Sequence, residues 1–234
     1  MYYYIYDSFL GDKKYSNLLA KIENRLTDLG INGKINHLSF LKNIQQVLAE
    51  EIRRGVKTVV VIGDDRTLSQ IINLIADLNV VIGYIPVNSN HLARLLNIPE
   101  GEYACDVLSA RIVKRIDLGK INNYYFISGI ETGGQAATIE CDNNYVISLT
   151  NKNDIISISN LNYQYQTRTE PADEQLDLFI ESVKKRFMIK STSTLTHLAA
   201  QKIRLTAEKS MPILLLDEKK ILKTPAEIKI NPRN

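Results

Sequence analysis

A chain of 234 residues is long enough to bury a substantial core and to form one large or two small domains. With 44% hydrophobic and 24% charged residues, it has the composition of an ordinary folded protein and carries no signature of disorder. The net charge of +3 is spread over short basic clusters such as Arg53-Arg54, Lys114-Arg115, Lys184-Lys185-Arg186 and Lys219-Lys220. With no polybasic arm, this pattern argues against nucleic acid as a partner and leaves room for peripheral membrane contact. Cys105 and Cys141 stand far apart, without Cys-x-x-Cys or zinc spacing, and read as free thiols. The start Met1-Tyr2-Tyr3-Tyr4-Ile5-Tyr6 has no basic region ahead of an apolar run, and no window reaches the length of a membrane span, so cytoplasmic residence is the expectation.

Tyr2 to Tyr6 reads as a first strand, with Asp7-Ser8 and Gly11-Asp12 as the turn after it. Apolar positions then recur at helical spacing from Tyr15 through Leu18, Leu19, Ile22 and Leu26 to Leu29, and Gly30 is placed to cap that helix. A short strand over Lys34 to Leu38 leads to a second amphipathic helix carrying Leu41, Ile44, Val47, Leu48 and Ile52, which Gly55 ends. The run Val59 to Ile62 is apolar without alternation, as expected for a central strand of a parallel sheet buried on both faces. Leu68 to Leu78 is the third helix and Val80 to Ile85 the next strand. This alternation predicts a doubly wound, Rossmann-like α/β domain over residues 1–102, with its ligand crevice at the carboxyl ends of the strands.

After Pro99 the pattern changes to period two. Runs at Arg111 to Ile116, Asn123 to Ile130, Ala136 to Glu140, Tyr145 to Thr150, Ile155 to Ser159, Lys202 to Ala207 and Ile213 to Leu216 predict an antiparallel, sandwich-like β domain over residues 103–234. One exception is expected at Pro171 to Met188, where Leu176, Phe179, Ile180, Val183 and Phe187 mark an amphipathic helix.

The most informative stretch is Thr58 to Leu68, a strand that runs through Gly63-Asp64-Asp65-Arg66-Thr67 directly into a helix. Such a turn places backbone N–H groups and a helix N-terminus at one point, which suits a phosphate. Thr67 followed by Gln70 also fits a capping box, for which the turn needs no ligand. The five residues resemble the Gly-Gly-Asp-Gly-Thr signature of the diacylglycerol kinase and NAD kinase superfamily: Gly63, Asp65 and Thr67 match, while Asp64 and Arg66 stand where the family has glycine.

Ile85 to Pro99 is similar to the lipid kinase segment Pro-Leu-Gly-Thr-Gly-Asn-Asp-Phe-Ala-Arg, with Pro86, Asn90, Ala93 and Arg94 matching and Asn88-Ser89 standing for a Gly-Thr-Gly turn. Ile116-Asp117-Leu118-Gly119 resembles the hairpin that opens the family's β-rich domain, and Pro212 to Glu218 its strand ending in Asp-Gly-Glu, here without the glycine. The second NAD kinase motif has no counterpart, which points to the lipid kinase branch.

The resemblance implies ATP and Mg²⁺ as cofactors and a lipid-like hydroxyl as phosphoryl acceptor. It implies Asp65, Asp217 and Glu218 as catalytic residues, Asp65 also on the metal, and Gly63, Asp64, Arg66, Thr67, Asn88, Ser89 and Asn90 around the nucleotide. The two loops are expected to face one cleft. Because glycine lets backbone approach phosphate and reaches φ > 0 at no steric cost, the substitutions at 64 and 66 predict a degenerate phosphate loop. The alternative is a non-catalytic nucleotide- or ligand-binding regulatory module on the same fold. His91 sits in the site-like loop, where a solvated role competes with a ligand role, and neither His37 nor His197 has a second ligand at metal spacing.

Overall fold

The computed structural model describes residues 1–38, 43–88, 91–161, 173–184 and 192–231, which form two units, Met1–Lys114 and Arg115–Asn234. In the first unit, β1 (Tyr2–Tyr6) is followed by two short 3-10 turns, α1 (Ser16–Asp28), β2 (Lys34–His37), α2 (Ile44–Arg53), β3 (Thr58–Gly63), α3 (Asp65–Ile75), β4 (Val81–Pro86), α4 (His91–Leu95) and α5 (Glu102–Ser109). Among the described residues the strands make a parallel four-stranded sheet in the order β2-β1-β3-β4.

Side chains alternate between the two faces of a strand. Tyr4, Tyr6, Val60 and Ile62 pack with Ile22 and Leu26 of α1 and Ala104 and Cys105 of α5. Tyr3, Ile5, Val59 and Val61 point the other way and are also buried, on the side where α3 lies on β3 and α2 on α3. Covered faces explain why β3 is a continuous apolar run. Gly30, at φ +65°, supplies the left-handed residue that ends α1.

The division falls at Lys114/Arg115 and not at residue 102, because α5 belongs to the first core: it packs on α1 and β4, and its Asp106 is bridged by Arg25 of α1. The strand expected at Arg111 to Ile116 is absent. Residues 112–117 have no regular structure, and with 111–115 all exposed there is no neighbouring strand to satisfy their backbone.

The second unit comprises β5 (Leu118–Ile121), β6 (Tyr124–Phe126), β7 (Gly129–Gly133), β8 (Ala137–Cys141), β9 (Tyr145–Leu149), β10 (Ile155–Ser159), β11 (Leu176–Lys184), β12 (Thr192–Ala200), β13 (Lys202–Thr206), β14 (Pro212–Leu215), β15 (Lys220–Lys223) and β16 (Ala226–Asn231). Described residues form two six-stranded sheets, β12-β11-β10-β7-β14-β15 and β6-β5-β16-β13-β8-β9. Ile130, Ile158, Leu178 and Ile213 of the first meet Ile121, Ile139, Ile203 and Ile228 of the second in one core, the arrangement of a sandwich.

The helix expected over Pro171 to Met188 is corrected to a strand where it is described: β11 pairs antiparallel with both β10 and β12. Leu176 and Ile180 belong to the helical set but are also spaced by two with Leu178, and burial of that alternate row in the sandwich core selects the strand. Positions 171–172 and 185–188 of that expectation lie outside the described residues.

Candidate functional site

In the first sheet the chain leaves β1 toward β2 on one side and β3 toward β4 on the other, so the connections diverge between β1 and β3. The crevice at such a switch point, beyond the carboxyl ends of the strands, is where open α/β sheets bind ligands. Here it is formed by Asp7, just after β1, and by Gly63 to Thr67. The Asp7 N–H donates to the Ile62 carbonyl at 2.9 Å and the Val87 N–H to the Gly63 carbonyl at 2.8 Å, so β3 is held from both sides at its end.

Asp7 is buried, and its carboxylate accepts from the Phe9 N–H at 3.2 Å, the Ser8 hydroxyl at 3.2 Å and the Thr67 hydroxyl. Gly63 permits this closeness: a Cβ there would stand 3.0 Å from Asp7 Cβ and 3.4 Å from Thr67 Cβ. The sequence reading missed Asp7. Its one local signal was an acidic residue following an apolar strand, the position that Asp64 takes after β3.

Asp64, not Thr67, caps α3. Its side chain accepts from the Thr67 N–H at 2.9 Å, while Thr67, third in the helix, turns its hydroxyl to Asp7. The expected Thr67–Gln70 box is therefore corrected, because a carboxylate one residue ahead of the helix reaches the N–H groups that lack intrahelical acceptors. Asp64 has φ −98° and ψ 177°, an extended conformation open to any residue, and Arg66 is an exposed residue of the first helical turn. The expectation that these positions lose glycine's conformational freedom is thus corrected. What they add is side-chain bulk and charge.

Asp65 joins the two loops singled out from sequence. Its carboxylate accepts from the Leu92 N–H at 3.0 Å, in the first turn of α4, and from the Tyr84 hydroxyl at 3.2 Å. Tyr84, also missed from sequence, has its phenol pushed upward in pKa by burial first and then by the neighbouring Asp65 and Asp64 carboxylates. Asn88 is exposed at φ +73°, the left-handed region that asparagine tolerates better than most residues, and its amide donates to the Tyr15 hydroxyl at 3.4 Å. At Asn88 the chain therefore keeps a glycine-like backbone without glycine. Ser89 and Asn90 lie outside the described residues. His91 is exposed.

Asp217 and Glu218 belong to the second unit, in the turn between β14 and β15. Asp217 is buried and accepts from the Ile127 N–H at 2.6 Å, the Ser128 N–H at 3.2 Å and the Ser128 hydroxyl, holding the connection between β6 and β7. Glu218 is half-buried. His197 of β12 meets Asp177 of β11 through Nε2 at 2.6 Å and stacks on Phe179 with ring centroids 4.7 Å apart. Among the described residues no group of three His, Cys, Asp or Glu side chains is arranged to hold a metal by itself.

The model of the diacylglycerol kinase catalytic domain matches residues 2–121 of this chain. Similar proteins include a diacylglycerol kinase of Bacillus subtilis (strain 168), 26% identical over 143 residues, or 59% of this chain and 47% of that protein. Another, from Staphylococcus haemolyticus (strain JCSC1435), is 32% identical over 92 residues, or 38% of this chain and 28% of its own. The matched stretch thus spans about half or less of these relatives. A solved structure of a diacylglycerol kinase from Bacillus anthracis str. Sterne superposes with a TM-score of 0.78 at 19% identity, covering 99% of this chain and 93% of that one, a likeness of fold.

Proposed function

The chain belongs to the diacylglycerol kinase catalytic-domain family, and on that premise we propose that it binds ATP with Mg²⁺ at the β1/β3 switch point and phosphorylates the hydroxyl of a diacylglycerol-like lipid from the cytoplasmic side of a membrane. The observation that carries the reading is the double engagement of Asp65. One carboxylate ties the first turn of α3 to the first turn of α4, so the starts of the two helices are brought together at that side chain.

Phosphoryl transfer asks a protein mainly for positioning and charge neutralisation. Gly63 keeps the backbone low at the end of β3, Asp64 and Asp7 fix the turn, and the exposed Arg66 supplies a cation beside it. The donor set suits Mg²⁺, which binds through one or two carboxylates together with waters and phosphates and needs no all-protein cage. When bound, the ion would neutralise phosphate oxygens, with Asp65 as its protein ligand. Asp217 supports its own turn, and its place in the reaction is positioning. Glu218 is the carboxylate proposed for the acceptor hydroxyl.

A second reading, a nucleotide-binding regulatory module without transfer, is favoured by the partners of the candidate acids. Asp217 is taken by donors from residues 127 and 128, and Asp65 by Tyr84 and Leu92.

The test compares the wild type with Asp64→Gly/Arg66→Gly in calorimetric titration with Mg²⁺-ATP and in phosphate transfer to dispersed short-chain diacylglycerol. The kinase reading expects the wild type to bind and to transfer slowly. The double variant should bind more tightly, since losing the Asp64 charge and the bulk of two side chains outweighs losing the exposed, solvent-screened Arg66 cation, at a cost of about 1 kcal/mol in helix stability. Binding without transfer in either protein selects the regulatory module, and no Mg²⁺-ATP binding in either refutes both readings. Fast wild-type transfer that the double variant abolishes would make Asp64 and Arg66 working parts of a modified site.

A further inference from the structure

Exposed apolar side chains run along α5 into the segment that follows. Tyr103 and Val107, four apart and hence on one side of the helix, are 67% and 48% exposed, and Ile112 and Val113 just beyond it are 77% and 62% exposed. Large apolar side chains exposed singly need no explanation, but four within eleven consecutive positions are a feature.

Beyond the end of α5, over residues 110–116, the charge is one-sided and basic. The acidic residues of α5 are directed to α1, where Glu102 lies 3.9 Å from Lys21 and Asp106 is bridged by Arg25. Arg111, whose guanidinium lies 5.8 Å from the centre of the Tyr2 ring, and Lys114 are both exposed and have no carboxylate partner among the described ion pairs. Arg115 follows next in the chain. Apolar side chains flanked by uncompensated cations are the composition of a surface that seats in the interface of a negatively charged bilayer.

We propose that Tyr103, Val107, Ile112 and Val113, with Arg111 and Lys114, form a docking surface for an anionic lipid bilayer. The choice of a bilayer over a protein partner rests on the reading of the acceptor as a lipid: such a hydroxyl lies in a membrane, and the cations are opposite in sign to its anionic surface. The apolar side chains enter the headgroup boundary while the cations meet lipid phosphates, so attachment is reversible and weakened by salt.

The test is co-sedimentation of the full chain with vesicles of phosphatidylglycerol and phosphatidylcholine in equal parts, against vesicles of phosphatidylcholine alone. The wild type is expected to sediment with the anionic vesicles and not the neutral ones. Ile112→Ser/Val113→Ser should weaken that binding about tenfold or more, and Lys114→Ala about fivefold. These side chains are exposed, so the variants should melt as the wild type does, and transfer to dispersed short-chain diacylglycerol should be unchanged. A wild type that stays in the supernatant, equal binding to neutral vesicles, or variants that sediment like the wild type would each overturn the proposal. So would a dimer in solution that the Ile112/Val113 variant dissociates, since the strip would then belong to a second copy. Loss of phosphate transfer with vesicle binding intact would refute the kinase reading alone.

Discussion

Thr67→Val tests the lock that closes the switch point. Threonine and valine have nearly the same shape, so the change removes a hydroxyl from a buried position and puts a methyl against the Asp7 carboxylate, sixty residues away in sequence. Hydrogen bonds to charged groups contribute roughly 1.5–3 kcal/mol. Asp7 keeps its bonds from the Phe9 N–H and the Ser8 hydroxyl, so the carboxylate is not stripped, and the loss should be about 2 kcal/mol. For a unit of this size that amounts to roughly 8 °C in melting temperature. Thermal unfolding followed by circular dichroism reads it, with Thr67→Ser as the control that keeps the hydroxyl and loses a methyl. Mg²⁺-ATP affinity should fall in Thr67→Val and hold in Thr67→Ser, because the same bond sets the distance between the β1 and β3 loops. A valine variant that melts within about 1 °C of the wild type, or a serine variant as unstable as the valine one, would refute the argument.

Asp65→Asn keeps the shape and removes the anion, so it should weaken Mg²⁺-dependent ATP binding about tenfold while the circular dichroism spectrum stays that of the wild type; equal affinities by calorimetry would leave Asp65 only its structural role. Glu51 is held below the usual carboxylate range by its hydrogen bond from Lys34 at 2.5 Å, against the opposing effect of burial, and by the charges of Lys34 and Arg54. A depressed folded-state pKa contributes stability above the unfolded value and loses it as pH falls through the folded one, so the advantage of wild type over Glu51→Gln in urea midpoint should be full near about pH 7 and shrink below about pH 4. A constant difference across that range would contradict it. Burial, and then the Asp106 charge, pushes the Cys105 thiol up to about 11, and burial likewise raises Cys141. Neither should react with a thiol reagent such as Ellman's in the native protein, and both should react in denaturant.

Much of the architecture is legible along the chain because it follows from local periodicity. The unbroken apolar run of β3 needs a sheet covered on both faces, and the period-two runs after Pro99 need a sandwich, so both fold classes and the Gly63 to Thr67 turn could be read without coordinates. Periodicity failed where two periods coincide. Leu176 and Ile180 fit a helical face, yet Leu176, Leu178 and Ile180 also fit one face of a strand, and the choice was made by β10 and β12 lying on either side. The site failed in the same way. That Asp7 receives the Thr67 hydroxyl, that Asp65 reaches Leu92 and Tyr84, and that Asp217 is engaged by residues 127 and 128 are consequences of which strands are neighbours. A carboxylate's identity is written in the sequence, but its role depends on which donors surround it, and those donors arrive from distant parts of the chain only once the sheets have formed.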